Sequence, residues 1–99
     1  MNERFKSIIN SDKPVLVDFY ADWCEPCRQM GPVLKTVKKD LRAKVRIIKV
    51  NVDHHPVIVS SLGVDKLPTV MLFRKGKPQW TGVGVQTVND IKCGLESCL

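Results

Sequence analysis

The sequence predicts an α/β fold, an open mixed sheet of about four strands flanked by helices, and three observations carry that prediction. Val15–Tyr20 (VLVDFY) and residues 45–52 (VRIIKVNV) are runs rich in β-branched and aromatic residues. The first lacks alternating polarity, the pattern of a strand covered on both faces. Between them, Met30, Val33, Leu34, Val37 and Leu41 recur at spacings of three and four, which makes one apolar helical stripe. Residues 69–73 (TVMLF) and 78–83 (PQWTGV), joined by Arg74-Lys75-Gly76-Lys77, read as an antiparallel hairpin.

The elements follow in order. Residues 2–11 form a short helix with Phe5, Ile8 and Ile9 on one side, stopped by Ser11-Asp12-Lys13-Pro14. The first strand follows, and after Ala21-Asp22-Trp23 a helix runs over residues 24–41 with Pro32 expected to kink it. Strand 45–52 is parallel to the first, so the helix is a right-handed crossover. Asp53-His54-His55-Pro56 breaks that strand before a short helix that ends at Gly63. After the hairpin, Thr87 caps a final helix, with Asp90 three residues on. Val88, Ile91, Leu95 and Leu99 share its core face; Cys93 points away from that face and Cys98 lies at its rim. Gly94 is expected to weaken this helix by roughly 1 kcal/mol relative to alanine.

Composition bounds the function. Ninety-nine residues, 43% hydrophobic and 26% charged, suit one domain over residues 1–99 and do not suit a disordered chain. No apolar run approaches the ~18 residues that spanning a bilayer needs, so no membrane role is expected. The first residues, MNERFKSIINSDKP, lack the basic start and apolar stretch of a secretory peptide, and a cytoplasmic protein is expected. The net charge is +6, and seven of the sixteen Lys and Arg residues fall between Lys35 and Lys49. That segment has no aromatic residue on which a base could stack, so a solvated surface is favoured over nucleic-acid binding. Steering of acidic partners stays open.

The four cysteines form two pairs, Cys24/Cys27 and Cys93/Cys98. Without a secretion signal, redox chemistry or metal binding is a better account of them than a structural disulfide framework. Cys24-Glu25-Pro26-Cys27 falls where a strand hands over to a helix, and sites in open α/β sheets lie at the carboxyl ends of strands. A free thiol with a pKa of ~8.5 is mostly protonated at neutral pH. At the leading end of a helix, unpaired backbone N–H groups and the positive dipole end favour the thiolate. Three-residue spacing brings Cys27 onto the same side, within reach of a reversible disulfide.

Asp18, six residues before Cys24, has apolar neighbours, so burial should raise its pKa toward neutrality; Lys49 on the adjacent strand is its natural counter-charge. A zinc site built from all four cysteines, or one using His54 and His55, is disfavoured because Cys93 faces away from the core stripe. No metal ligands are therefore assigned. A non-catalytic adaptor is disfavoured by the presence of both Cys24 and Cys27.

Taken together, Val17 to Arg28 around the two cysteines, Pro32, the Lys49-Val50-Asn51-Val52-Asp53 strand, Leu67-Pro68-Thr69 and Phe73…Gly76…Gly84 resemble the thioredoxin family from about Val15 to Leu99. The resemblance implies the thioredoxin fold, lacking the family's usual first strand, so that strand 45–52 stands at a sheet edge where Arg46 and Lys49 would discourage pairing, while a pairing partner there stays open. It implies a protein-disulfide reductase. Cys24 would be the attacking thiolate, Cys27 the resolving thiol, and Asp18 the proton-transfer carboxylate tuned by Lys49. Trp23, Glu25, Pro26, Leu67, a cis Pro68, Val83, Gly84 and Val85 would meet the substrate. It implies no bound cofactor, electrons from NADPH through a thioredoxin reductase, disulfide-containing target proteins, and a monomer. Glu25 departs from the glycine most members carry, and an anion beside Cys24 is expected to disfavour its thiolate.

Overall fold

A computed structural model describes residues 1–96. The sequence pattern becomes a sheet of four strands: β1 (Val15–Tyr20), β2 (Arg46–Asn51), β3 (Thr69–Arg74) and β4 (Lys77–Val83). Four helices accompany it: α1 (Glu3–Ile9), α2 (Met30–Leu41), α3 (Pro56–Leu62) and α4 (Val88–Glu96). The strand order is β2-β1-β3-β4, with β1 parallel to β2 and antiparallel to β3, and β3 antiparallel to β4. The sheet is open and mixed, and β2 stands at its edge, as expected.

Alternation along β1 divides the core. Leu16 packs with Met30, Leu34 and Val37 of α2 and with Ile91 and Leu95 of α4. Val15, Val17 and Phe19 pack on the opposite face with Phe5 and Ile9 of α1 and Ile58 of α3. Successive strand residues point to opposite faces, so a strand covered on both sides reads as a continuous apolar run. Phe5 and Phe73 meet edge to face, ring centroids 6.1 Å apart at 88°.

The cap expected at Thr87 is present, and Asn2, read as part of the first helix, instead caps it. Asn2 Oδ1 accepts the Phe5 N–H at 2.7 Å at the start of α1. Thr87 Oγ1 accepts from the Asp90 N–H at 3.0 Å while Asp90 accepts the Thr87 N–H at 2.9 Å, a reciprocal capping box on α4. Ile91 and Leu95 are buried and Cys93 is exposed, while Cys98 and Leu99 lie outside the described residues.

Two expectations are corrected. Residues 24–41 are not one regular α-helix. A 3₁₀ turn over Pro26–Gln29 precedes α2, and Pro32 sits in the first turn of α2. Near the start of an α-helix the proline has no α-type backbone bond to break, so it is accommodated there. Gly94 is also more than a weak point of α4. It is buried against Trp80 of β4, and a Cβ on it would come within 2.8 Å of Trp80 Cε2. Its missing side chain lets the helix lie on the indole, an interaction that helix propensity does not register.

Candidate functional site

The site forms where β1 ends. Past Tyr20 the chain turns, the Cys24 N–H donating to the Ala21 carbonyl at 3.1 Å, and the 3₁₀ turn begins at Pro26. Cys24 and Cys27 are joined in a disulfide with Cα atoms 5.4 Å apart. The Cys27 N–H donates to Cys24 Sγ at 3.3 Å, so Cys24 places its sulfur where an N-cap oxygen would lie. Such a donor favours negative charge on that sulfur once the bond is reduced. Both cysteines are buried, 5% and 8% exposed, in an apolar nest with Ala21 and with Tyr20, Val52 and Leu67 packed around it.

Asp18 lies on the same face of the sheet as Leu16, in register with Lys49 of β2 and only 3% exposed. Burial raises its pKa to about 6 against the opposing pull of the Lys49 charge. Its Oδ1 has no hydrogen-bond partner among the described residues. A carboxylate buried this way is costly unless it is used or hydrated. Lys49 is exposed and acts on it through space rather than in a closed ion pair. A cleft of about 340 Å³ joins Asp18, Lys49, Cys27 and Arg28, which gives the carboxyl and the inner sulfur a common route to solvent.

A second cleft, of about 420 Å³, opens on the outer side of Cys24 and is lined by Trp23, Glu25, Pro26 and Leu67, with Val59 and Asp65 across from them. Trp23 is 71% exposed, and its indole N–H donates to Asp53 Oδ2 at 2.9 Å. The Leu67–Pro68 peptide is cis. The Gly84 N–H donates to the Pro68 carbonyl at 2.8 Å, with Gly84 at φ 85°, a backbone conformation that glycine enters without strain. Val83 and Val85 flank this junction as exposed apolar side chains. Of the sequence-predicted residues, Cys24 and Cys27 are disulfide-bonded, Asp18 and Lys49 share a cleft with Cys27, Trp23, Glu25, Pro26 and Leu67 line the outer cleft, and Pro68 and Gly84 are hydrogen-bonded beside Leu67. Pro68, Val83, Gly84 and Val85 lie outside the 420 Å³ cleft and border it through Leu67.

Several neighbours of the site carry no assigned role in the sequence reading. Asp53 orients Trp23, and its own N–H donates to Asn51 Oδ1 at 3.0 Å. The parallel pairing of the two strands put it opposite the Trp23 loop, which was the available signal. Arg28 Nη1 lies 3.5 Å from Glu25 Oε2, a contact foreshadowed by their i, i+3 spacing. Asp65 and the valines of the 420 Å³ cleft carried no sequence signal, because α3 and its following loop reach the site only through tertiary packing. No three His, Cys, Asp or Glu side chains converge as a metal-ligand set among the described residues.

A CxxC disulfide at the carboxyl end of a strand, over a buried carboxyl and beside a cis-proline loop, defines a dithiol oxidoreductase of the α/β class. The thioredoxin family model matches residues 1–97. The chain is 44% identical to the thioredoxin of Rickettsia bellii over 87% of its own length and 82% of that protein. It is 41% identical to the thioredoxin of Alicyclobacillus acidocaldarius over 96% and 90% of the two chains. Among solved structures, oxidised mitochondrial thioredoxin 3 from Saccharomyces cerevisiae superposes with a TM-score of 0.84 at 29% identity, covering 94% of this chain and 86% of that one. The thioredoxin of Malassezia sympodialis gives 0.87 at 31% identity, covering 98% and 88%. The chain belongs to the thioredoxin family, and it is a thiol-disulfide oxidoreductase working through Cys24 and Cys27.

Proposed function

We propose that the chain acts as a single domain and a monomer that reduces disulfides of target proteins in the cytoplasm, and that a thioredoxin reductase restores its dithiol with electrons from NADPH. A reducing compartment suits the reductant direction. In the reduced protein, the Cys24 thiolate attacks one sulfur of the target disulfide, forming a mixed disulfide as the other target sulfur leaves and takes up a proton. Asp18 then accepts the Cys27 proton, directly or through water in the cleft the two groups share. The Cys27 thiolate attacks Cys24 Sγ, and the second target sulfur departs as a thiol. The protein dithiol has become a disulfide and the target disulfide a dithiol.

Lys49 keeps the Asp18 carboxyl from rising further in pKa, so it titrates near the working pH, where a proton acceptor is most effective. Trp23, Glu25, Pro26, Leu67, Pro68, Val83, Gly84 and Val85 receive the target chain. The apolar arms bury its side chains, and the backbone beside the cis-proline runs along it. The observation that carries this reading is the Cys24–Cys27 disulfide lying over a buried carboxyl with an unpartnered oxygen. Dithiothreitol-driven reduction of insulin, followed by turbidity, tests it. Cys24→Ser abolishes the activity, and Cys27→Ser accumulates a covalent mixed disulfide. Activity persisting in Cys24→Ser refutes it.

A further inference from the structure

Among the described residues, no strand pairs with the sheet edge farthest from the hairpin. The Arg46 and Val52 N–H groups donate to the Pro14 and Tyr20 carbonyls, each at 2.9 Å, which fixes the even-numbered residues of this stretch as the ones facing β1. In a parallel ladder the alternate residues turn both backbone groups the other way. Ile47 and Lys49 therefore present N–H and C=O to the outside, where no strand of the described residues pairs. At the ends of this row the carbonyls are engaged, Val45 by the Lys38 ammonium at 2.9 Å and Asn51 by the His54 N–H at 3.1 Å. The open stretch is thus short and well bounded.

Beside it lies a groove of about 390 Å³ between α1 and α3, with Phe5, Ile48 and Ile58 as its apolar floor. Arg4 and Arg46 also line it, Lys49 borders it from the strand edge, and no acidic side chain among the described residues does. An extended strand added to β2 would alternate its side chains between this groove and the α2 side. Arg46 lies on the groove side with Ile48, and Lys49 on the α2 side with Ile47, so cations wait on both.

We propose that the β2 edge takes up an acidic, extended segment of another protein as an added strand, held by the outward backbone groups of Ile47 and Lys49, the apolar floor, and the Arg4, Arg46 and Lys49 cations. Main-chain bonds supply the affinity and alternate side chains the selectivity. A second copy of this chain is the poorer occupant, since its edge would bring Arg46 and Lys49 against their own counterparts on a chain of net charge +6. The same cations that discourage self-pairing therefore admit an acidic strand.

The test is fluorescence anisotropy with a labelled, end-blocked heptapeptide of alternating glutamate and valine, alongside the same peptide with lysine in place of glutamate. The acidic peptide binds saturably and weakens as salt rises; the lysine peptide does not bind. Ile47→Pro removes an outward N–H while sparing the ladder to β1, and weakens binding at least about tenfold. The double variant Arg4→Glu/Arg46→Glu does the same without touching the backbone. Both variants retain wild-type insulin reduction, which reports that the fold is intact. Equal binding of the two peptides, or binding indifferent to the double variant, overturns the proposal. So does a concentration-dependent dimer in sedimentation that Ile47→Pro abolishes, because the edge would then belong to a second copy.

Discussion

The two faces of the sheet share strands but not tolerance for buried charge. On the α1/α3 face, Val17 and Phe19 of β1 continue into Phe5, Ile9, Ile58 and Phe73 with no charged group among the buried residues. On the α2/α4 face, the row that starts at Leu16 arrives two residues later at Asp18, buried and with one oxygen unpartnered among the described residues. A stability-driven core would place an aliphatic residue there. The buried carboxyl lies at the end of the strand that meets Cys27, so the second face gives up packing only beside the disulfide, where the proposed proton transfer would use it. Asp90 makes the contrast sharper: on the surface, hydrogen bonds from Thr87 hold its carboxyl below the usual range, whereas burial pushes that of Asp18 up.

Neighbouring substitutions on β1 break or sharpen that contrast. The largest effect is expected at Phe19, which is fully buried on the apolar face. Phe19→Ala leaves a cavity and costs about 3–5 kcal/mol in urea unfolding; a loss below about 1 kcal/mol would mean the apolar face is not close-packed.

Asp18→Asn should act in the opposite direction. A carboxyl raised from 3.8 to about 6 binds its proton more tightly in the folded state. Its stabilising contribution is complete below about pH 4 and is lost as pH rises through about 6. The variant is therefore more stable than wild type at pH 7–8 by about 3 kcal/mol at most, and the gap closes on acidification toward pH 4. It also slows release of a preformed mixed disulfide. A variant equally stable and equally fast at all pH values would make Asp18 a bystander.

Glu25 sits outside both faces, and its effect is the smallest. Its carboxylate is exposed and paired with Arg28 at 3.5 Å, so its field at Cys24 is partly offset and screened. Glu25→Gly should speed attack on a model disulfide by no more than about threefold; slower attack would reverse the sign expected for an anion beside the thiolate.

Much of this was legible in the chain. Strand β1 announced its double burial by apolar residues at both alternating sets of positions, and Asp18 stood out as the one charged residue among them. Thr87 and Asp90 marked a capping box by spacing alone, and Pro68 and Gly84 were identified by family resemblance. The 3₁₀ turn was missed because two cysteines three apart and a proline suit either helix type, whereas the apolar stripe begins only at Met30, where α2 starts. Gly94 was read through helix propensity, a local quantity, while its role depends on Trp80, fourteen residues earlier. The partnership of Trp23 with Asp53 likewise spans thirty residues, and no local pattern encodes it.

The central claim is that chemistry at Cys24 is set by its backbone environment rather than by exposure, and the chain holds its own control. Cys93 is a free, exposed thiol on α4, whereas Cys24 is 5% exposed. The reduced protein should be treated with limiting iodoacetamide at pH 7 and mapped by mass spectrometry. Carbamidomethylation at Cys24 ahead of both Cys93 and Cys27 is the predicted result. Modification of Cys93 as fast as Cys24, or faster, would contradict the account.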